Sequence, residues 1–190
     1  MTVEKAYLRE RAVAYAERWA LARNPLFYDF AGTGGDCTNF VSQAILAGSC
    51  TMNFTPTYGW YYRSSRDRSP SWTGVEYLYD FLTGAVEFAA ENGGVGPFGR
   101  EVPDRLARVG DVVQLANDTG DFYHTLLITA AVPGDFLVSA HTNDAFNRPL
   151  TSYSFAAVRY IHIDGVRMEY PDDTCYRALL EGRALPHTAN

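Results

Sequence analysis

Residues 32–48 read GTGGDCTNFVSQAILAG. A flexible, glycine-rich approach ends at Asp36-Cys37 and passes straight into apolar positions at Phe40, Val41, Ala44 and Ile45. That spacing is helical, and Gly48 is the expected stop. Cys37 therefore falls at a loop-to-helix junction rather than deep in an apolar run. A cysteine in the first turn of a helix faces unpaired backbone N–H groups and the positive end of the helix dipole. Both favour the thiolate, and the same N–H groups can hold a developing oxyanion. Asp36 is expected to cap the helix, where its charge works modestly against ionising the neighbouring thiol. Gly32, Gly34 and Gly35 leave room for a substrate backbone to lie close.

Upstream, Val3, Tyr7, Leu8, Ala12, Tyr15, Ala16, Trp19 and Ala20 form a helical stripe over residues 3–23, stopped by Asn24-Pro25. Downstream, residues 49–72 are aromatic and polar without a period. Tyr58, Trp60, Tyr61, Tyr62 and Trp72 suit either a groove wall or a loop pinned by its own rings. The pattern Val75, Leu78, Leu82, Ala85, Val86 and Ala89 predicts a second long helix over Thr73–Asn92, ended by Gly93-Gly94. After residue 100 the period shortens. GDVVQLA (110–116), YHTLLITAAV (123–132), DFLVSAH (135–141) and FAAVRYIHI (155–163) are short, rich in β-formers and separated by turn residues. Helices first and an antiparallel sheet afterwards make an α+β fold. The tail from Asp164 reads as an irregular wrap with one short helical piece near Tyr176–Glu181.

The chain has 190 residues, which suits one compact domain. A net charge of −6 with no basic block argues against a nucleic-acid partner. No apolar run reaches the ~18 residues of a membrane span. Residues 1–22 carry charges throughout and do not read as a signal peptide, so a cytosolic protein, or an exported one whose leader has been removed, is expected. Three cysteines, Cys37, Cys50 and Cys175, are too few for a disulfide scaffold and lack the spacing of a zinc site. Cys50 and Cys175 could bridge, leaving Cys37 free, but two reduced bystanders are the preferred reading.

A cysteine nucleophile needs a histidine, and that histidine needs a polar partner to orient it. Of the four histidines, His187 lies in the tail and His162 in the last strand, where structural roles are expected. His124 opens a strand just after a polar turn. If Val132 and Asp135 flank the turn of the following hairpin, Leu126 lies opposite His141, and His124 opposite Asn143. Alternation along the strands then brings His124, His141 and Asn143 to one face.

DCTNFVSQAILAG resembles the nucleophile segment of the bacterial "putative amidase domain" proteins, which are related to NlpC-like and CHAP-type cell-wall hydrolases of papain-like fold. The similarity extends through YLRERAVAYAERWALARNPLFYDF, SWTGVEYLYDFL, VGDVVQL, YHTLLIT, SAHTNDAFNRPL and RYIHIDG, and leaves out only residues after about 165. The resemblance implies an amidase domain over 1–165 with a C-terminal extension at 166–190. It implies Cys37 as nucleophile, His124 as general base and His141 as the orienting residue, with Asn143 and Asp144 as alternatives. Asp36, Tyr28, Trp60 and Trp72 are the expected oxyanion and substrate contacts. The expected activity is hydrolysis of an amide through a thioester, in a peptide or peptidoglycan-like substrate, with no metal or other cofactor. A non-catalytic peptide- or glycan-binding domain, and an acyltransferase using the same thioester, are the alternatives.

Overall fold

A computed structural model describes residues 2–84, 94–170 and 173–186. Nine strands and five helices are found among them. The main sheet is antiparallel, with strands in the order β1 (Val3–Lys5), β9 (Ala157–Met168), β5 (Val112–Ala116), β6 (Phe122–Val132), β7 (Asp135–Ala140) and β8 (Ala145–Pro149). β4 (Gly96–Val102) pairs with the other edge of β9, and β2 (Tyr62–Ser64) with β3 (Asp67–Arg68) forms a separate small hairpin. The helices are α1 (Arg9–Trp19), α2 (Cys37–Ser49), α3 (Pro70–Thr73), α4 (Val75–Thr83) and α5 (Cys175–Glu181). The fold is α+β, as expected.

Alternation along the strands divides the interior into two layers. Val112, Leu127, Ile161 and Ile163 face the helices and pack with residues of α1, α2, α4 and α5. Val113, Leu115, Leu126, Ile128 and Val138 face the opposite side, beneath Phe136, Tyr153 and Tyr160. Helix α2 lies in the middle of the first layer, with all thirteen residues buried. A helix enclosed all round should be apolar all round; this one carries Asn39, Ser42 and Gln43. Each is paired: Gln43 accepts from the Tyr15 hydroxyl at 2.6 Å, Ser42 accepts from Trp60 Nε1 at 3.1 Å, and Asn39 accepts from Trp72 Nε1 at 2.8 Å.

Several expectations change. The N-terminal helix begins at Arg9, because residues 3–5 find an edge of β9 to pair with, Val3 opposite Met168. Gly48 does not end α2. It is a contact glycine, since a Cβ there would lie 2.4 Å from the Tyr7 ring, and the left-handed turn comes at Cys50 (φ 47°). The second long helix is broken: α3 and α4 meet at Gly74, which is extended, and α4 closes at Gly84 (φ 64°). The positions expected to continue it, Ala85 to Asn92, lie outside the described residues, as does His187. β9 runs through residue 165 to Met168, so the expected domain boundary falls inside a strand.

Cys50 and Cys175 form a disulfide across a sequence separation of 125, replacing the expected pair of reduced thiols. The sequence could not show that α5 returns to the C-terminal end of α2. Further along α5 the Leu179 carbonyl accepts from Trp19 Nε1 at 3.2 Å and Asn24 Nδ2 at 2.9 Å, at the end of α1. Closing so long a loop restricts the unfolded chain, by about 3–5 kcal/mol. Reduction, or the double substitution Cys50→Ala/Cys175→Ala, is expected to lower the urea midpoint by a corresponding amount while leaving the circular dichroism of the folded protein unchanged.

Candidate active site

Cys37 opens α2 as its first residue. The approach is made by Gly34 and Gly35 at φ +116° and +112°, a region that L side chains avoid, and no atom lies within 4 Å of where a Cβ at Gly34 would be. Open space on that flank agrees with the expected access. Cys37 is buried, 7% exposed as a residue. The backbone N–H groups of Thr125, Thr38 and Cys37 and the Thr38 hydroxyl face it and favour the thiolate, but desolvation is the larger effect and pushes the thiol above its ordinary pKa. The helix-mouth effect expected from the sequence is present and is outweighed.

Asp36 does not cap α2 with its side chain. Its carboxylate turns back instead. Oδ1 accepts from the Phe30 N–H at 2.9 Å and Asn39 Nδ2 at 2.8 Å; Oδ2 meets His141 Nδ1 at 2.6 Å. His141 Nε2 lies 2.9 Å from the Trp19 carbonyl, and its ring stacks on Phe40 at 4.2 Å. A carbonyl can only accept, so Nε2 carries hydrogen. Both nitrogens of His141 are thereby engaged, in a pair that binds α1, α2 and the end of β7 together.

The hairpin register explains where the histidines lie. Val132 pairs with Asp135, Ala131 with Phe136 and Ala130 with Leu137, as expected. An irregularity at Thr129 then shifts the pairing by one, so Ile128 meets Val138 and Leu127 meets Ser139. A one-residue slip reverses the faces. Extended to the strand ends, it sets Thr125, not Leu126, level with His141, and the expected pairing of His124 with Asn143 is not formed. Thr125 points to the helices, where its hydroxyl lies 2.9 Å from that of Thr38. His124 lies with its ring centroid 6.0 Å from that of Tyr153, on the side of the sheet where Arg148 also sits. Burial, with Arg148 adding to it, lowers its pKa from 6.5 to about 4. Among the described residues no hydrogen bond joins His124 to Cys37. The Thr125 N–H at the sulfur nevertheless brings the main chain of its neighbour His124 beside the nucleophile.

The remaining expected residues are spread out. Asn143 is exposed in the turn after β7 at φ 66°, and Asp144 receives both terminal nitrogens of Arg23 at 2.9 and 3.0 Å. Trp60 and Trp72 are fully buried against α2, so they are core and not a groove wall. Tyr28 is 50% exposed, with its carbonyl taking a bond from Asn39. Sequence reasoning missed Thr38 and Thr125, which meet the sulfur, and Gln114 behind them, polar residues that carry no chemical signature until the fold links them. Among the described residues no group of three or more His, Cys, Asp or Glu could hold a metal ion. No helix of the described residues is long and apolar enough to cross a membrane.

Removing Asp36 would strand the buried His141 ring. Asp36→Ala is expected to lose about 3–5 kcal/mol of stability, as breaking one side of a buried pair does, read as the change in unfolding free energy in urea; Asp144→Ala, on the surface, should cost under about 1 kcal/mol.

The model of the family described as "Putative amidase domain" matches residues 6–163. The chain is 32% identical over 144 residues to the uncharacterized protein YhbB of Bacillus subtilis (strain 168), an alignment covering 73% of this chain and 42% of that protein. The chain thus spans under half the length of the curated relative it matches. No solved structure gives a significant match. The polar helix mouth, with the hairpin docked on it, falls wholly inside the matched segment, and the chain belongs to the putative amidase domain family.

Proposed function

We propose that this domain is a cysteine-dependent amidase or peptidase of papain-like design, with Cys37 as nucleophile and His124 as general base. The observation that carries the reading is the sulfur at the first turn of α2, faced by three backbone N–H groups, with the strand that bears His124 in contact with it. Family membership supports amide hydrolysis as the reaction class.

The thiol and the half-buried imidazole start uncharged at neutral pH, the thiol because desolvation raises it and the imidazole because desolvation lowers it. A neutral imidazole is able to take a proton, so no resting ion pair is needed. His124 is the proposed acceptor of the thiol proton as sulfur attacks the amide carbonyl, which requires the start of β6 to shift from the arrangement that sets the ring beside Tyr153. The oxyanion forms against the N–H groups of the first turn. The intermediate collapses as His124 passes the proton to the leaving amine, and a thioester remains on Cys37. Water, activated by the same ring, releases the acid. His141 and Asn143 were the expected orienting residues. With His141 engaged by Asp36 and Trp19, its part is to hold the helix mouth, and the rings of Tyr123 and Tyr153 are the neighbours of His124 at rest.

Peptide or γ-glutamyl amides of cell-wall material are the proposed substrates. The Cys50–Cys175 bridge supports an oxidising, extracytoplasmic setting, since such bonds are rare in reducing compartments. A non-catalytic binding domain is the second reading, favoured by the burial of the sulfur and by the absence, among the described residues, of a bond between it and an imidazole.

Purified cell-wall sacculi incubated with the protein should release new amino groups. Cys37→Ala is expected to abolish the release and His124→Ala to lower kcat/KM by about 10²–10⁴-fold. A wall left intact by the wild-type protein, together with no covalent adduct from an electrophilic peptide, would favour the binding domain. Because the folded imidazole titrates near 4 and is neutral above that, kcat/KM should rise through pH about 4 and show no further step near 6.5. A rise centred at 6.5 would mean that His124 is solvated in the working enzyme.

A further inference from the structure

The side chains behind Cys37 form a hydrogen-bond chain with a fixed direction. Arg159 is buried, its guanidinium 3.7 Å from the ring centroids of both Tyr79 and Phe122. An arginine can only donate, so the Gln114 atom 2.8 Å from its Nε is the amide oxygen. The Val75 carbonyl can only accept, so the Gln114 atom 2.8 Å from it is the nitrogen. Two separate ends therefore demand the same amide orientation. The second hydrogen of that nitrogen goes to Thr125 Oγ1 at 3.3 Å. Thr38 Oγ1, 2.9 Å away, is the side-chain acceptor in reach of the Thr125 hydrogen. That leaves Cys37 Sγ, 3.8 Å away, as the group in reach of the Thr38 hydrogen.

We propose that Gln114 and Thr125 are positioning residues that, anchored by Arg159, act through Thr38 to aim a hydroxyl hydrogen at the Cys37 sulfur and so favour its anionic form. The inference rests on Cys37 being the nucleophile proposed above. Gln114 and Thr125 are fully buried and Thr38 almost so, so no water competes for these bonds. Reversing any hydroxyl would leave a buried group unpaired, which is why the direction persists. The charged and titratable neighbours are few. Arg159 meets Glu76 at 2.9 Å at the far end, and Asp36 precedes Cys37 in the chain, while the His124 ring lies on the other side of the sheet beside Tyr153. The Asp36 carboxylate is turned away to His141. The relay offsets part of the burial that works against the thiolate.

The test is the rate of iodoacetamide alkylation of Cys37 against pH, with the Cys50–Cys175 bridge intact so that one thiol reacts. Thr125→Val keeps the shape and the backbone N–H but removes the hydroxyl. It is expected to raise the apparent thiol pKa by about one unit, a drop of about tenfold in rate at neutral pH. Thr125→Ser should restore the wild-type profile, which a purely structural role would not require. A folded Thr125→Val protein with an unshifted profile overturns the relay. Should that variant fail to fold, Thr38→Val carries the same test, and an unshifted profile there overturns it equally. The assay needs no amide substrate. A relay-dependent thiol in a protein that hydrolyses nothing would strike only the amidase reading. An active enzyme whose thiol ignores Thr125 would strike only the relay. A wild-type thiol that reacts only on unfolding strikes both.

Discussion

The complete enclosure of α2 is the constraint from which the rest of the structure follows. A helix surrounded on every side has no water to satisfy its polar groups, so each must find a partner in the protein or cost several kcal/mol. Asn39, Ser42 and Gln43 are therefore matched to Trp72, Trp60 and Tyr15, three large rings drawn from distant parts of the chain. The same demand shapes the N-terminal end. Asp36 spends its carboxylate on the Phe30 N–H, Asn39 and His141, fixing the loop, the helix and the hairpin relative to one another. Stability and placement of the sulfur have one origin.

Burial also sets the electrostatics. A helix mouth and several N–H groups would by themselves make a thiolate, as they do at partly exposed sites. Here desolvation wins over them, and it acts in opposite directions on acid and base: the thiol is pushed up and the imidazole down. Both ends of the proposed proton transfer are thus neutral at rest. The charge separation of an acyl-transfer reaction would be created only when a substrate is present to use it, against donors already in place.

Much of this was legible in the residues. The helix at Cys37, the four strands after residue 100 and the short helix near 176–181 are strongly patterned and lie close to where periodicity puts them. Several of the misses share a cause, which is partners distant in sequence. Val3–Lys5 looks helical until β9 offers an edge, and Gly48 looks like a stop until Tyr7 presses on it. Trp60 and Trp72 look like ligand-binding rings until α2 supplies hydrogen-bond acceptors for their indole nitrogens.

The sequence by itself determined that a cysteine would stand at a helix mouth, that an antiparallel hairpin bearing histidines would follow, and that the class would be α+β, because these depend on local period and turn chemistry. Tertiary structure decided which histidine meets which partner. A single irregularity at Thr129 reverses the faces of β6 beyond it, and period-two strands leave no trace in sequence of a slip by one residue. It likewise decided that the thiol is protonated at rest, because the free energy of a charge depends on how deeply it is buried, and burial belongs to the packed whole.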